Sequence, residues 1–366
     1  MEKAFKYRIY PNKTQKELIQ KTFGCARFVY NHFLNKKIEL YKNEGKTMAY
    51  NKCSKELTIL KNDLQWLKEP DKDSLQKSLK DLDNAYQKFF KEHTGFPKFK
   101  SKKNRNKSYR TSCTNNNIKF LDKHIQLPKL GYVKIRDKMI PKGRILNATI
   151  SQEPNGHYYV SLCCTDVELQ QLQKTNTNIG VDLGLIDFAI FSNGIKISNP
   201  KFYETSEKKL VKLQRELSRK TIGGSNWNKT RIKVANLQKH IAEQRRDFLQ
   251  KLTTDMVKMY DVICIEDLDI KGMKETNSTI RNKRVGDVSW SKLIRQLTYK
   301  CEWYGKKLVR VDRYFPSSQI CHVCGKNSGK KPVDIRTWEC SCGAILDRDI
   351  NASINILNEG LRLLNI

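Results

Sequence analysis

The amino-acid sequence predicts a chain of mixed α and β structure, with an α/β domain in its C-terminal half. Apolar residues recur at helical spacing over residues 15–92 and turn to a strand-like pattern over 117–166. After Ile179, short apolar strands and longer amphipathic helices alternate along the chain, which is typical of an α/β domain. The polar run 168–178 predicts a linker between the two halves.

In the N-terminal half, residues 3–10 alternate like a strand, which Pro11 ends. Thr14 is a candidate N-cap for the first of three predicted amphipathic helices. These helices cover residues 15–41, 51–66 and 72–92. The apolar stripe of the third helix predicts a helical core. Further on, Asn155-Gly156 between two strand-like runs predicts a β-hairpin.

Residues 91–110 form a basic segment, with eight Lys or Arg residues against one Glu. A run of like charges is usually a solvated surface. Here Phe96, Phe99 and Tyr109 lie among the basic residues, and Gly95-Phe96-Pro97 predicts a turn. This mixture favours an ordered loop that contacts a phosphate backbone.

In the C-terminal half, two strands are predicted first and two long basic helices follow them. A short strand that ends in Glu266 comes next, and a helix, a strand and the last helix complete the pattern. The predicted strands are 179–185, 187–191, 262–266 and 308–311, and the last two helices are 290–305 and 350–364.

Composition indicates a polyanionic partner. The 366-residue chain has 70 Lys and Arg residues against 38 Asp and Glu residues, a formal net charge of +32. Such a charge favours nucleic acid, because each phosphate contact releases counterions; a basic protein without this role, or a ribosomal-type RNA-binding protein, is the alternative. The sequence has no signal-peptide pattern and no apolar run near the roughly 20 residues that span a bilayer. We therefore expect a soluble cytoplasmic protein with no membrane partner.

Three acidic residues stand out by their position. Asp182 lies in an apolar strand, Glu266 ends another, and Asp349 opens the last helix. A carboxylate at the end of a buried strand is costly unless it is paired or binds a cation. Taken singly, each acid is better explained as a helix cap or a salt-bridge partner. Together they predict a site for Mg²⁺ or Mn²⁺ ions of the kind that hydrolyses phosphodiesters, with Asp347 as a neighbour that complicates the assignment.

The cysteines separate into four with metal-site spacing and seven that are scattered. The four are Cys321, Cys324, Cys340 and Cys342, with fifteen residues between the two pairs. This spacing approximates a zinc ribbon whose second knuckle is one residue short, and four thiolates predict a closed structural Zn²⁺ site. Gly325 and Gly343 permit the tight turn that follows each pair. An odd total of 11 cysteines is typical of a reducing compartment.

Several stretches together resemble the TnpB family of transposon-encoded RNA-guided DNA endonucleases, which is similar to the type V CRISPR effectors. The resemblance covers nearly the whole chain. The stretches that carry it are 7–11, 75–83, 95–100, 180–184, 265–268, 314–318 and 347–356. The short second cysteine knuckle departs from the common pattern and leaves the three acids intact.

The resemblance implies a fold and a division into domains. It implies a RuvC nuclease domain of RNase H-like fold over 179–366, with the zinc ribbon inserted at about 316–346. It implies an N-terminal wedge β-barrel over 1–12 and 118–167, with a helical recognition insert at 13–117 and the linker at 168–178.

The resemblance also implies residue roles and partners. Asp182, Glu266 and Asp349 would be the catalytic, Mg²⁺-binding carboxylates, and Asp347 would be structural. A guide RNA (ωRNA) would pair with one strand of a double-stranded DNA target, while the protein reads a short adjacent motif. We expect one protein molecule per RNA, with a dimer as the open alternative. The expected nucleic-acid contacts are Tyr50, Gln76, Lys77, Lys98, Lys100 and Thr111.

Two other functions are compatible with the same resemblance. One is an RNA-guided DNA-binding repressor without cleavage, and the other is a strand-transferring transposase. A repressor is expected to have lost at least one of the three acids, and all three are present here. A transposase needs a module that binds transposon ends, for which the sequence gives no signal. The sequence therefore favours the nuclease.

Overall fold

The computed structural model describes residues 1–104, 107–136, 139–270, 272–275, 278–332 and 334–365. The chain forms two compact units, Met1–Glu168 and Leu169–Ile366. The boundary between these units lies at the start of the predicted linker, while the finer division into domains remains a prediction. The predicted regions 91–110 and 316–346 include residues 105, 106 and 333, which lie outside the described residues.

The first unit combines three helices with an antiparallel sheet of seven strands, and a short 3₁₀ turn at Gln65–Lys68 follows the second helix. Its elements in chain order are β1 (Lys3–Tyr10), α1 (Lys13–Glu44), α2 (Tyr50–Asp63), α3 (Lys72–Glu92), β2 (Lys107–Ser112), β3 (Lys119–Leu121), β4 (His124–Leu127), β5 (Gly131–Ile135), β6 (Arg144–Gln152) and β7 (Tyr158–Thr165).

The seven-stranded sheet has the order β2-β6-β7-β1-β5-β4-β3. The predicted hairpin at Asn155-Gly156 is confirmed, since β6 and β7 pair across it and Gly156 has φ 86°. Within the described part of the chain, the edge strands β2 and β3 do not pair with each other. The sheet is therefore open, and the predicted closed barrel is not confirmed.

The three helices share a core of their own. Val29 and Phe33 of α1, Leu57 of α2 and Leu75 and Leu79 of α3 are buried in one apolar cluster. The predicted core is confirmed for Leu75, Leu79 and Leu82 of the α3 stripe, whereas Phe90 at the end of the same stripe is 64% exposed. The predicted cap of α1 is wrong: Asn12, not Thr14, caps it, and Asn12 Oδ1 accepts from Gln15 N at 2.9 Å while Gln15 Oε1 accepts from Asn12 N at 3.0 Å. This reciprocal pair satisfies two N–H groups that the first turn leaves without partners.

The second unit is an α/β arrangement, as predicted. Its elements in chain order are β8 (Asn178–Asp182), β9 (Asp187–Phe191), β10 (Lys196–Ser198), α4 (Phe202–Ser218), α5 (Ser225–Met259), β11 (Val262–Glu266), α6 (Thr279–Val288), α7 (Trp290–Tyr304), β12 (Lys307–Val311), β13 (Thr337–Glu339), β14 (Ile345–Asp347) and α8 (Arg348–Leu363). Helix α6 and the short strands β10, β13 and β14 were not predicted.

The main sheet of this unit has the order β10-β9-β8-β11-β12. Strands β8, β11 and β12 are parallel, and β9 is antiparallel to both of its neighbours. Helix α8 packs closely on this sheet, because a Cβ atom at Gly180 would lie 2.0 Å from the carbonyl oxygen of Ser353. Only glycine permits that approach, and it brings the helix against the strand that ends in Asp182. None of the helices among the described residues is long and apolar enough to span a membrane.

Candidate metal centres

The first two predicted carboxylates lie at one edge of the five-stranded sheet. Asp182 is the last residue of β8 and Glu266 is the last residue of β11. The two strands are parallel neighbours, and Ile265 lies opposite Val181. The next residue of each strand is the acid, so the two carboxylates stand beside each other where both strands end.

The third predicted carboxylate belongs to the first turn of α8, and its neighbour caps the helix. Asp347 Oδ1 accepts from the backbone N–H groups of Asp349 and Ile350, both at 3.0 Å. Its other oxygen accepts from Lys196 Nζ at 2.7 Å. These bonds and the charge of Lys196 outweigh the effect of burial and lower the pKa of Asp347. Asp347 is therefore bound up in holding the helix, while the carboxylate of Asp349 is not needed for the cap.

The pKa of Asp182 shows that its carboxyl group lies within range of the negative charges of both Glu266 and Asp349. Burial, together with the negative charges of Glu266 and Asp349, raises the pKa of Asp182 to about 7. A carboxyl group that retains its proton near neutral pH indicates a local excess of negative charge in a poorly solvated place. Such a cluster can ionise fully only if positive charge is supplied.

Two polar side chains contact the other two acids. Ser317 Oγ donates to Glu266 Oε1 at 2.5 Å. Burial raises the pKa of Glu266, and the Ser317 hydrogen bond offsets part of that rise by favouring the ionised form. Arg336 Nη1 lies 3.0 Å from Asp349 Oδ2 and 3.3 Å from Oδ1. Its guanidinium group thus balances one of the three negative charges.

The four predicted cysteines form a second cluster, in which all four sulfur atoms lie within 4.8 Å of one another. The distance from Cys321 Sγ to Cys342 Sγ is 3.8 Å, and that from Cys324 Sγ to Cys340 Sγ is 3.7 Å. A tetrahedral ion with bonds of about 2.3 Å to sulfur requires a separation of about 3.8 Å. The cluster therefore has the geometry of a four-coordinate metal site.

Local backbone geometry explains why these cysteines meet. Gly325 N donates to Cys321 O, and Gly343 N donates to Cys340 O, both at 2.8 Å. The two glycines have φ angles of 73° and 87°, as the predicted tight turns require. The second turn lies between β13 and β14, which pair antiparallel and so bring the chain back to α8.

Two buried asparagines on α8 connect the cysteine cluster to the carboxylate cluster. Asn355 Nδ2 donates to Ser317 O at 2.8 Å and to Ile320 O at 2.7 Å. Asn351 Nδ2 also donates to Ile320 O at 2.7 Å, and its Oδ1 accepts from His322 N at 3.0 Å. The segment from Ser317 to His322 is thus held on α8, with Ser317 directed to Glu266 and Cys321 directed to the cysteine cluster.

Sequence reasoning did not single out these supporting residues. The only sequence signal for Ser317, Asn351 and Asn355 was that they lie in stretches that carry the family resemblance. Arg336 and Lys196 carried no signal, because each reaches its acid only through the tertiary fold.

The predicted nucleic-acid contacts lie in the first unit and only partly come together. Tyr50 Oη donates to Gln76 Oε1 at 3.2 Å, so α2 and α3 bring these two residues into contact. Lys77 is half-buried on α3. Thr111 is 1% exposed and its hydroxyl donates to Asp71 at 2.6 Å, so it does not lie on the surface of this structure.

Lys98 and Lys100 are exposed on the basic segment. Asn31 of α1 holds that segment by a reciprocal pair of hydrogen bonds with the Lys100 backbone, at 2.8 and 2.9 Å. The basic segment was expected to be an ordered loop, and its backbone is indeed held in place at Lys100.

Comparison with solved structures identifies the fold class. The chain is similar to the protein in a structure described as the Cas12f1-sgRNA-target DNA complex, with a TM-score of 0.56 and 10% sequence identity over 98% of this chain and 99% of that chain. At this identity the similarity concerns the fold alone. Three family models also match: "Cas12f1-like, TNB domain" over residues 290–356, "Probable transposase" over 161–277 and "Helix-turn-helix domain" over 1–46. Residues 1–46 consist here of the strand β1 and the single long helix α1 with its C-cap.

Comparison with curated proteins identifies the family. A protein of Streptomyces pristinaespiralis named "Putative RNA-guided DNA endonuclease" is 36% identical over 99% of this chain and 90% of its own length. "Putative RNA-guided DNA endonuclease InsQ" of Escherichia coli (strain K12) is 32% identical over 98% of this chain and 92% of its own length. The chain belongs to the TnpB family.

Proposed function

We propose that this protein is an RNA-guided DNA endonuclease that cleaves double-stranded DNA by metal-dependent phosphodiester hydrolysis. The observation that carries the proposal is that Asp182 and Glu266 end adjacent parallel strands and Asp349 opens α8, while burial and the negative charges of the other two acids raise the pKa of Asp182 to about 7. The names of the relatives that match almost the whole chain support the RNA-guided activity. The net charge of +32 suits a protein that holds both RNA and DNA by their backbones.

The three carboxylates fit Mg²⁺ or Mn²⁺. Their oxygen atoms are the ligands that these hard cations prefer, and their mutual repulsion is relieved by positive charge. When bound, such ions activate a water molecule and stabilise the leaving oxygen of the phosphodiester. The Ser317 hydrogen bond favours the ionised form of Glu266, and the Lys196–Asp347 contact supports the first turn of α8. Arg336 has to leave Asp349, or share it, when the carboxylate binds a cation.

The four cysteines fit a structural Zn²⁺ ion. All four ligands would be thiolates, so the site would be closed to substrate and would act by holding the segment from Ser317 onward. We assign the ribbon to about 316–346 and the RuvC nuclease domain, of RNase H-like fold, to 179–366. The strand order with an antiparallel second strand supports that assignment. Within the first unit, we assign the wedge domain to 1–12 and 118–167 and the recognition insert to 13–117. We propose that one protein molecule binds each guide RNA.

A cleavage assay tests the proposal. The full chain is purified with co-expressed RNA from its own locus, and the bound RNA is sequenced. Matched and mismatched double-stranded DNA are then incubated with the complex and Mg²⁺. We expect cleavage of matched DNA only, and Asp182→Ala should abolish cleavage while DNA binding persists. Binding without cleavage by the unaltered protein would favour the repressor, and joined DNA ends would favour the transposase.

A further inference from the structure

A large apolar pocket opens in the first unit at the C-terminal ends of α1 and α3. Its volume is about 820 Å³, within the range of sites that bind small molecules. Aromatic residues from both helices and from the loop after α3 form much of its lining. They are Tyr41, Tyr86, Phe89, Phe90 and Phe96. None of the carboxylates or cysteines described above contributes to it.

The rings of this pocket are exposed to solvent yet fixed in position. Phe90 is 64% exposed and Phe96 is 46% exposed. Tyr86 and Phe96 make an edge-to-face contact at 5.7 Å between ring centroids, and Phe89 and Phe96 make another at 5.4 Å. The rings of Tyr86 and Phe90 are nearly parallel, 21° apart. These contacts hold the rings in one arrangement and leave flat faces available for another aromatic group.

The rim of the pocket is positively charged. Lys37, Lys42 and Lys91 line it, against a single acid, Asp83. Asp83 is already engaged, because its Oδ2 accepts from Lys80 at 3.1 Å and from Gln87 at 3.2 Å. The Lys37 ammonium group lies 4.9 Å from the centroid of the Tyr86 ring. A flat apolar floor below a cationic rim complements a ligand that is flat and aromatic at one end and anionic at the other.

We propose that this pocket binds an unpaired nucleotide of the guide RNA, with its base stacked on Phe90 and its phosphate beside the rim lysines. The proposal rests on the proposed function for the presence of RNA. Bases stack on aromatic side chains without regard to sequence, and basic residues follow the backbone. RNA is the source that we favour because its loops and ends are unpaired before any DNA duplex is opened. An apolar peptide would leave the cationic rim without a partner.

Binding of two synthetic oligomers tests the proposal in the full-length protein. One is a fluorescein-labelled oligouridylate, and the other is an abasic ribose-phosphate oligomer of equal length and charge. Salt is raised until binding through phosphates alone is weak. We expect the oligouridylate to bind about five- to 150-fold more tightly, the range for one stacked base. Equal affinity for the two oligomers would overturn the proposal.

Variants localise the effect. Phe90→Ala should reduce the preference for the oligouridylate toward one, and Phe90→Trp, which retains a ring, should preserve it. Tyr132→Ala is the matched control, because Tyr132 is 48% exposed on β5 and is not part of the pocket. An unchanged preference in a folded Phe90→Ala protein would contradict the proposal, since the base would then bind elsewhere. If Phe90→Ala does not fold, a photo-crosslink from 4-thiouridine RNA to residues 86–96 of the unaltered protein decides.

Three further outcomes are distinguishable. Tighter binding of the matching oligodeoxyuridylate would overturn the choice of RNA as the source. If the protein binds no RNA even at low salt, the proposed function fails together with this inference. If it binds RNA but shows no preference for the base, only the inference fails.

Discussion

The cysteine cluster and the carboxylate cluster lie in the same unit but are assembled by different means. The four cysteines fall within residues 321–342 and meet through two tight turns and a short hairpin. The three carboxylates are up to 167 residues apart, by the numbers of Asp182 and Asp349, and meet only when β8, β11 and α8 pack together. The first cluster is a local structure, whereas the second is a property of the whole domain.

The two clusters also differ in what they do to the protein. The sulfurs already have the spacing that one tetrahedral ion needs. By contrast, the Asp182 carboxylate is repelled by the charges of Glu266 and Asp349, which together with burial raise its pKa. We therefore expect loss of a cysteine to reduce stability, and loss of a carboxylate to reduce activity while stability is kept or improved.

The largest expected effect distinguishes Asp349 from Asp347. Asp349→Asn should lower the cleavage rate by more than ~100-fold, because replacing a residue that only supports a metal ligand already lowers activity by up to about 100-fold. Asp347→Asn should lower it by only a few-fold, since asparagine is also a good N-cap and the half-exposed pair with Lys196 is worth at most ~1 kcal/mol. Rates are measured on matched DNA with saturating Mg²⁺. A greater loss for the Asp347 variant would reverse the assignment.

The next effect concerns the cysteine cluster. Cys324→Ser should reduce zinc content well below one ion per chain and lower the free energy of unfolding by on the order of 4 kcal/mol. Cys163→Ser is the control, because Cys163 lies in the other unit and far from the cluster in sequence. Zinc is measured by elemental analysis and stability by thermal melting. Unchanged zinc content in the Cys324 variant would contradict a zinc site there.

A pH-dependent effect of Mg²⁺ should appear at the carboxylates. Without cations, the proton on Asp182 contributes to stability below its ordinary pKa of 3.8, and this contribution is lost as pH rises through about 7. The difference corresponds to at most ~4 kcal/mol. Mg²⁺ competes with that proton, so it should raise the melting temperature more at about pH 8 than at about pH 5.5. Asp182→Asn should remove the difference, and an equal shift at both pH values would contradict the account.

The smallest effects test whether the two clusters are coupled. Asn355→Ala removes the side-chain donor to the Ser317 carbonyl and one of the two asparagine donors to the Ile320 carbonyl, at a cost of about 1–3 kcal/mol. It should weaken zinc retention and lower cleavage by about tenfold. Ser317→Ala, which removes only the hydroxyl that contacts Glu266, should lower cleavage and leave zinc unchanged. An Asn355 variant that alters one cluster alone would show that they are independent.

The same contrast explains how much could be predicted from sequence. The cysteine spacing, the helix 72–92 and the hairpin at Asn155-Gly156 depend on neighbouring residues, and each is seen in the structure. Asp182 and Glu266 could be expected at the same edge of a sheet if their strands are parallel, because parallel strands end at one edge. Their approach to Asp349 depends on Gly180, whose close contact with α8 no local pattern reveals.

Where the structure departs from the prediction, the causes differ from one case to the next. Thr14 is an acceptable cap by type, but Asn12 and Gln15 can satisfy each other and so begin the helix earlier. Thr111 looked available for contact, yet Asp71 lies 40 residues earlier and accepts its hydroxyl in the interior. The closed barrel was implied by resemblance alone, and strand pairing in the described residues leaves the sheet open.

The most direct measurement is anomalous diffraction from crystals of the full-length protein soaked in Mn²⁺ at about pH 8. The central claim is that Asp182, Glu266 and Asp349 form one cation site distinct from the four cysteines. We predict a manganese peak within about 2.1–2.3 Å of oxygen atoms from each of these three side chains. No oxygen atom of Asp347 should lie at that distance from the peak. A manganese peak that the three carboxylates do not share, or their separation in the crystal, would contradict it.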